Sequence, residues 1–141
     1  MANDIIRADR APAPVGAYPH ARRVGDLIFL SGVGPRMPGN NGIPGNVSDA
    51  HGHLLSYDIE AQCRQVFANV RAVLEASGAR WEDLVDVTVF LTDMKRDFAV
   101  YNRLYAEAFK GVDACRTTVE VNALPTEIAI ELKCIAAISA S

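Results

Sequence analysis

Residues 115–125 have the sequence CRTTVEVNALP. From residue 116, polar side chains occupy every second position, and the segment closes with a Leu-Pro pair. Alternation with a period of two predicts a β-strand, and the proline predicts its end. One face carries Thr117, Val119 and Val121. The other face carries a guanidinium, a hydroxyl, a carboxylate and an amide: Arg116, Thr118, Glu120 and Asn122.

The polar face of this strand predicts a site for a small carboxylated metabolite. An arginine guanidinium can bind a carboxylate through two parallel hydrogen bonds. The alternative is an exposed salt bridge between Arg116 and Glu131 of the last predicted strand, worth at most about 1 kcal/mol.

The remaining patterns predict a single α+β domain over residues 1–141, with two helices on one face of a mixed β-sheet. The first helix has a candidate N-cap in Asp58 and a candidate C′ residue in Gly78. The predicted elements are strands on both sides of a turn at 24–27, a long loop at 36–57 with room for a short hairpin, helices at 58–77 and 98–109, and strands at 85–91, 115–122 and 127–136.

Two helices can cover only one face of such a sheet. The uncovered face is expected to be partly apolar, which predicts a homo-oligomer. The residues assigned to it are Phe90, Thr118, Ala129 and Ile135, together with Arg116, Glu120 and Glu131.

Composition narrows the class of protein. The net charge is −3, whereas nucleic-acid-binding proteins usually carry a basic patch. No apolar run approaches the roughly 20 residues of a membrane span, and the N-terminus does not resemble a signal peptide. A cytoplasmic protein is expected, with Cys63 and Cys134 as buried free thiols.

Other candidate sites are weaker. The glycines of residues 31–35 (SGVGP) would let a ligand approach backbone N–H groups, although a simple chain reversal explains them equally well. They do not form a nucleotide-binding motif. His51 and His53 near Asp58 are too few to predict a metal, so no metal is expected. The charged residues at 93–97 are expected to be solvated.

Several segments together resemble the Rid family, the reactive-intermediate deaminases also called the YjgF family. The resemblance covers nearly the whole chain in the correct order, and the strand with its Leu-Pro pair is the most specific part. The matching segments are 15–18 (VGAY), 30–32 (LSG), 74–79 (LEASGA), 87–93 (VTVFLTD), 116–121 (RTTVEV) with 124–125 (LP), 130–132 (IEL) and 135–136 (IA).

The resemblance implies a chorismate-mutase-like fold and a homotrimer. In such a trimer the sheets form an inner barrel and the active sites lie between subunits. It also implies hydrolysis of enamines and imines of amino-acid origin, with release of ammonia and without a cofactor. A general imine hydrolase and a non-enzymatic, chaperone-like binding trimer remain open as alternatives.

Three segments are similar to a branch of the family that converts 2-aminomuconate to 4-oxalocrotonate in the breakdown of aromatic compounds. They are 15–26 (VGAYPHARRVGD), 31–36 (SGVGPR) and 115–125. The segment 36–57 is also longer than in general Rid proteins. One departure is Thr118, where general members commonly carry cysteine.

The resemblance implies a role for each candidate residue. Arg116 would bind the substrate C1 carboxylate with help from the backbone of Ser31 and Gly32, and Tyr18 would contact the conjugated chain. Glu131 and the backbone carbonyl near Thr118 would orient the attacking water, with Glu120 as the alternative base.

The second carboxylate of 2-aminomuconate needs its own partner, because a single guanidinium cannot reach both ends of a six-carbon diacid. The candidates are His20, Arg22, Arg23 and Arg36. His20 and Arg36 are preferred because they follow Tyr18 and the 31–35 segment most closely.

Overall fold

A computed structural model describes residues 3–138. Within this range the chain forms eight strands, two α-helices and a short 3₁₀ turn at Trp81–Asp83. The strands are β1 Asn3–Ile6, β2 Ala21–Val24, β3 Leu27–Leu30, β4 Val47–Ser48, β5 Leu54–Ser56, β6 Leu84–Leu91, β7 Cys115–Glu120 and β8 Ile130–Ala137. The helices are α1 Ile59–Ala76 and α2 Met94–Ala108.

Six strands form one mixed sheet in the order β1-β2-β3-β8-β6-β7. Strands β6 and β7 are parallel, and the other neighbouring pairs are antiparallel. The remaining two strands, β4 and β5, form a separate hairpin inside the 36–57 segment. The α+β class, the mixed sheet and the two helices on one face are confirmed.

The core lies between the sheet and the two helices. The register pairs Val87 with Cys134 and Val89 with Leu132, so these side chains share one face, and all four are fully buried. Helix α1 packs a stripe that includes Cys63 and Val70 into the same core. The prediction that Cys63 and Cys134 are buried free thiols is confirmed, and desolvation raises the pKa of each to about 12.

The ends of α1 agree with the sequence. The Asp58 side chain accepts a hydrogen bond from the Ala61 amide at 3.1 Å, which satisfies one free N–H of the first turn. Gly78 has a φ of +76°, a left-handed conformation that suits glycine and stops the helix.

Helix α2 begins four residues earlier than predicted. Asp93 caps it by accepting from the Arg96 amide, and the Glu120 carboxylate accepts from the Met94 amide at 2.8 Å. The expectation that residues 93–97 are all solvated is wrong, because Asp97 is fully buried and accepts a 2.6 Å hydrogen bond from the Tyr57 hydroxyl. The first turn of this helix is charged, so it lacks the apolar stripe that would have predicted the start of the helix.

The assignment of the β7 side chains to the uncovered face is also wrong. The parallel register places Arg116 beside Val87, Thr118 beside Val89 and Glu120 beside Leu91, on the face that carries the helices. Ala129 is only 2% exposed and belongs to the core. Because β7 is the edge strand, its helix-side positions are only partly covered and can be polar.

The face away from the helices, called here the open face, is largely apolar. Phe90 and Ile135 lie on it as predicted, with Glu131 and Lys133 beside them. The Lys133 ammonium donates a hydrogen bond to the Leu30 carbonyl. The large apolar side chains that this face exposes are Ile5, Val24, Leu27, Phe29 and Val119.

No helix within residues 3–138 is both long and apolar enough to cross a membrane.

Candidate active site

A cleft of about 140 Å³ lies where β3 ends beside β8. Its walls come from the N-terminal arm, the segment after β3, the loop before β8 and β8 itself. The lining includes Tyr18, Gly32, Arg36, Thr126 and Glu131. A smaller cavity of about 40 Å³ adjoins it, shares Tyr18, Gly32 and Arg36, and also reaches His20 and Ser31.

The Glu131 carboxylate lies directly against Gly32. A Cβ atom built on Gly32 would lie 2.6 Å from Glu131 Oε2, closer than real Cβ contacts come. A side chain at position 32 would push the carboxylate away, so glycine permits its close approach rather than supplying an unusual backbone angle. Burial raises the pKa of Glu131, since the charged form loses hydration.

The N-terminal arm is held by Ser31 and His20. The Ser31 hydroxyl donates to the Pro19 carbonyl at 2.7 Å. His20 Nδ1 accepts from the Ala8 amide at 3.0 Å and Nε2 donates to the Pro12 carbonyl at 2.8 Å, so neither ring nitrogen is left for a ligand.

The backbone amide of Gly32 is available as a hydrogen-bond donor in the cleft. The Ser31 amide donates to the His20 carbonyl, whereas the Gly32 amide has no protein acceptor within residues 3–138. Tyr18 stands opposite, and its hydroxyl accepts a hydrogen bond from the Val15 amide at 3.2 Å. The cleft thus combines a carboxylate, a free backbone N–H and an aromatic wall.

Arg36 brings positive charge to the cleft. Its terminal nitrogens donate to the Asn41 side chain at 2.9 Å and the Ala13 carbonyl at 2.7 Å. Both acceptors are neutral, and in the part of the chain described no carboxylate lies within 4 Å of the guanidinium. The buried Asn69 side chain donates to the Gly34 and Arg36 carbonyls, at 2.8 Å each, and so fixes the backbone that presents Arg36.

A second polar cluster surrounds Arg116. Its Nη1 donates to the Asn102 side chain at 2.8 Å, and its guanidinium carbon lies 4.8 Å from the ring centre of Tyr105 and 5.3 Å from that of Tyr101. The Thr118 hydroxyl shares a 2.8 Å hydrogen bond with the Tyr101 hydroxyl. Glu120 is engaged at the start of α2, as described above.

The two clusters lie on opposite faces of the sheet. Arg116 lies beside Val87 on the helix face, whereas Glu131 lies beside Phe90 on the open face. The structure therefore places Tyr18, Ser31, Gly32, Arg36 and Glu131 around one cleft, and leaves Arg116, Thr118 and Glu120 away from it. One chain cannot form the predicted contact between Arg116 and Glu131, so a site that uses both residues needs two chains.

Three residues that organise these clusters were not predicted from the sequence: Gln62, Asn69 and Asn102. Gln62 and Asn69 interrupt the apolar stripe of α1 and are buried. Gln62 accepts from the Ala129 amide, just before β8, and donates to Asn46, so it connects α1 to the start of β8 and to the 36–57 segment. Buried amides need partners, so their place on an apolar stripe was the available signal.

The two loop histidines belong to a local turn. Asp49 accepts hydrogen bonds from the backbone amides of His51 and His53 and lies 3.3 Å from the His53 ring. Within residues 3–138, no three His, Cys, Asp or Glu side chains form a group that could hold a metal ion.

Comparison with known proteins identifies the family. A family model described as endoribonuclease L-PSP matches residues 8–138. A RutC family protein of Pyrococcus abyssi is 38% identical over 136 residues, covering 96% of this chain and 98% of that protein. Reactive Intermediate Deaminase A of Arabidopsis thaliana is 35% identical over 133 residues, 94% of this chain and 65% of that protein.

A crystal structure of Escherichia coli TdcF with bound serine superposes with a TM-score of 0.82 at 32% identity, covering 96% of this chain and 99% of the other. The family match spans most of the chain, and the relatives exceed 30% identity over almost its full length. The chain therefore belongs to the Rid family.

Proposed function

We propose that this protein is a hydrolytic deaminase that converts a carboxylated enamine or imine to the oxo acid and ammonia. The observation that carries the proposal is the Glu131 carboxylate, poorly hydrated and placed against Gly32 in a cleft that also holds Tyr18 and Arg36. A carboxylate whose pKa is raised toward neutrality is a better general base than an ordinary one. The name of the Arabidopsis relative supports the reaction class.

The reaction follows from the groups present. The enamine takes up a proton at carbon to become the iminium ion, which is the protonated imine. Glu131 removes a proton from a water molecule as the water oxygen bonds to the imine carbon, which gives a carbinolamine. Glu131 then returns its proton to nitrogen, ammonia leaves, and loss of the hydroxyl proton gives the carbonyl product. The free Gly32 amide can donate to the substrate beside the reacting carbon.

In this proposal Arg116 reaches the cleft from a second copy of the chain. The two clusters cannot meet within one subunit, and the exposed apolar side chains of the open face provide a surface for association. The carboxylate of the substrate would then bind Arg116 of one subunit while its reacting carbon lies near Glu131 of another. TdcF, a structural neighbour, was crystallised with serine, itself an amino acid with a carboxylate.

The proposed assembly is a homotrimer, and its mass is the first test. Sedimentation equilibrium is expected to give three times the chain mass of 15.2 kDa. Phe29→Asp, on the open face, should lower that mass because the new carboxylate would lose its hydration when the apolar face is covered. Leu55→Asp is the matched control, since Leu55 is 65% exposed on the β4–β5 hairpin. A wild-type monomer at micromolar concentration contradicts the shared site.

We propose 2-aminomuconate as the substrate, with Arg36 as the partner of its second carboxylate. Arg36 lines the Glu131 cleft, and the acceptors of its guanidinium within residues 3–138 are neutral. His20 was the other preferred residue, but its hydrogen bonds to the arm leave the role to Arg36. Of the other candidates, Arg22 does not line the Glu131 cleft, and the Arg23 guanidinium donates to the Gly25 carbonyl.

Arg36→Gln is expected to raise KM for 2-aminomuconate about 10-fold, the usual value of a hydrogen bond to a charged group. KM for 2-iminopropanoate, which has a single carboxylate, should stay unchanged. Arg10→Gln is the control, because Arg10 is an exposed arginine of the N-terminal arm and does not line the cleft. Equal losses on both substrates, or no loss on either, favour a general imine hydrolase over a 2-aminomuconate deaminase.

The same assay separates two other functions. Turnover of 2-iminopropanoate but not of 2-aminomuconate indicates a general imine hydrolase. Binding of these compounds with turnover of neither indicates a non-enzymatic binding protein. Cleavage of RNA, suggested by the description of the family model, is disfavoured by the net charge of −3, since RNA-binding surfaces are usually basic.

A further inference from the structure

The guanidinium of Arg116 is restrained although it is exposed to solvent. It lies over the rings of Tyr101 and Tyr105, and its Nη1 donates to Asn102 Oδ1 at 2.8 Å. A free arginine side chain carries about 2 kcal/mol of rotamer entropy, and contacts of this kind remove part of it before a ligand arrives.

All three restraining groups are uncharged. In the part of the chain described, no carboxylate lies within 4 Å of Arg116, although other exposed arginines of this protein, such as Arg64 and Arg80, make such pairs. Among residues 3–138, the positive charge of Arg116 is therefore not neutralised by a carboxylate of its own subunit. The hydrogen bond to Asn102 uses Nη1, which leaves the edge formed by Nε and Nη2 for a carboxylate.

We propose that Asn102 is a positioning residue for Arg116 and that its neutrality sets the affinity of the site for carboxylates. This inference rests on the proposed function, in which Arg116 binds the carboxylate of the substrate. An amide holds the guanidinium in place without competing for its charge. An aspartate at the same position would hold it in the same geometry, but would compensate its charge and repel a carboxylate at the remaining edge.

Asn102 suits a test of this kind because it is exposed on α2, so its replacement leaves the core unchanged. Asn102→Ala removes the acceptor and frees the guanidinium. Asn102→Asp keeps the size, the shape and the acceptor oxygen, and adds one negative charge. If Asn102 acts only through its shape, Asn102→Ala should weaken ligand binding more than Asn102→Asp does. If Asn102 acts by leaving the charge of Arg116 uncompensated, Asn102→Asp should weaken binding more.

The readouts are the Kd of pyruvate, the oxo acid formed from 2-iminopropanoate, and kcat/KM for 2-iminopropanoate itself. Asn102→Ala is expected to weaken both about threefold, since one hydrogen bond is lost. Asn102→Asp is expected to weaken both about 10-fold or more, because the new carboxylate pairs with Arg116 and repels the ligand.

Lys110→Gln is the control for bulk charge, as it changes the net charge by the same −1 at an exposed position just after α2. It is expected to leave the Kd of pyruvate unchanged. The melting temperature of each variant, measured alongside, should stay at the wild-type value.

The order of the two variants decides the inference. If Asn102→Asp binds pyruvate as well as wild type, or better than Asn102→Ala, the inference is overturned. Arg116→Ala separates this result from a failure of the proposed function. Normal pyruvate binding by Arg116→Ala overturns the proposed function and this inference together, whereas weak binding by Arg116→Ala with normal binding by Asn102→Asp overturns the inference alone.

Discussion

Arg116→Ala is expected to lower kcat/KM by about 100-fold or more, because truncating one partner of a hydrogen-bonded charge pair typically costs 2–5 kcal/mol. The fold and the oligomeric mass should stay unchanged, since the side chain is exposed and forms no part of the core. Steady-state kinetics on 2-iminopropanoate, with sedimentation of the same sample, test both statements.

Two further variants show whether the loss is specific. Arg116→Lys keeps the charge but not the planar fork, so most of the activity should also be lost. Arg71→Ala is the matched control, because Arg71 likewise stacks on an aromatic ring, 4.2 Å from the centre of Trp81, but lies on α1. Near-normal activity of Arg116→Ala excludes the residue as the carboxylate anchor.

The fold could be predicted wherever local patterns decide it. The apolar stripe between Asp58 and Gly78 predicted α1 to within a residue at each end, because cap and stripe agree. The alternation around Leu132 predicted which side chains of β8 reach the core. The start of helix α2 was predicted four residues too late, since its first turn is charged and Asp97 is buried against Tyr57, which lies 40 positions away.

The faces of β7 could not be predicted from its own sequence. Alternation separates Arg116 from Val119 but does not say which of them faces the helices. That assignment depends on the parallel pairing with β6 and on the position of β7 at the edge of the sheet. The error matters for function, because it changes Arg116 and Glu131 from neighbours in one chain to residues that can meet only between chains.

The cleft was predicted in its residues but not in its geometry. The sequence indicated Tyr18, Gly32 and Glu131 separately, and 99 positions separate the last two. Only the packing of β3 against β8 brings the carboxylate onto the glycine. His20 and Ser31 hold the arm by hydrogen bonds to the backbone carbonyls of Pro12 and Pro19. Backbone carbonyls are present at every residue, so the sequence does not indicate which of them will accept these bonds.

Glu131→Gln is expected to lower kcat about 100-fold, the usual scale for loss of a general base, while pyruvate still binds. Glutamine keeps the shape of the side chain against Gly32 but cannot accept a proton. Glu127→Gln is the matched control, because Glu127 is exposed in the loop before β8 and does not line the Glu131 cleft. It should leave kcat unchanged.

The pH dependence gives a second readout. Burial raises the pKa of Glu131, so the base form is lost at a higher pH than for an ordinary glutamate. The activity of the wild type should therefore fall as pH is lowered through this raised pKa. In Glu131→Gln the residual activity should lack that step.

Stability should change in the opposite direction to activity. Because the pKa of Glu131 is higher in the folded chain than in the unfolded chain, its stabilising contribution is complete below the unfolded value and is lost as pH rises through the folded value. Above that pH the wild type keeps a poorly hydrated charge that glutamine does not carry. Glu131→Gln should then melt at or above the wild-type temperature at pH 8, as scanning calorimetry can measure.

Glu120 was the alternative base, and the same measurements distinguish it from Glu131. Its carboxylate accepts from the Met94 amide at the start of α2, on the face away from the Glu131 cleft. The positive pole of the helix dipole at the start of α2 favours a negative charge there. Glu120→Gln should therefore weaken the first turn of α2 and lower the melting temperature, while kcat is largely retained. A fully active Glu131→Gln together with an inactive Glu120→Gln would move the base to Glu120. A base at that position would lie beside Arg116 on the helix face rather than across the subunit boundary.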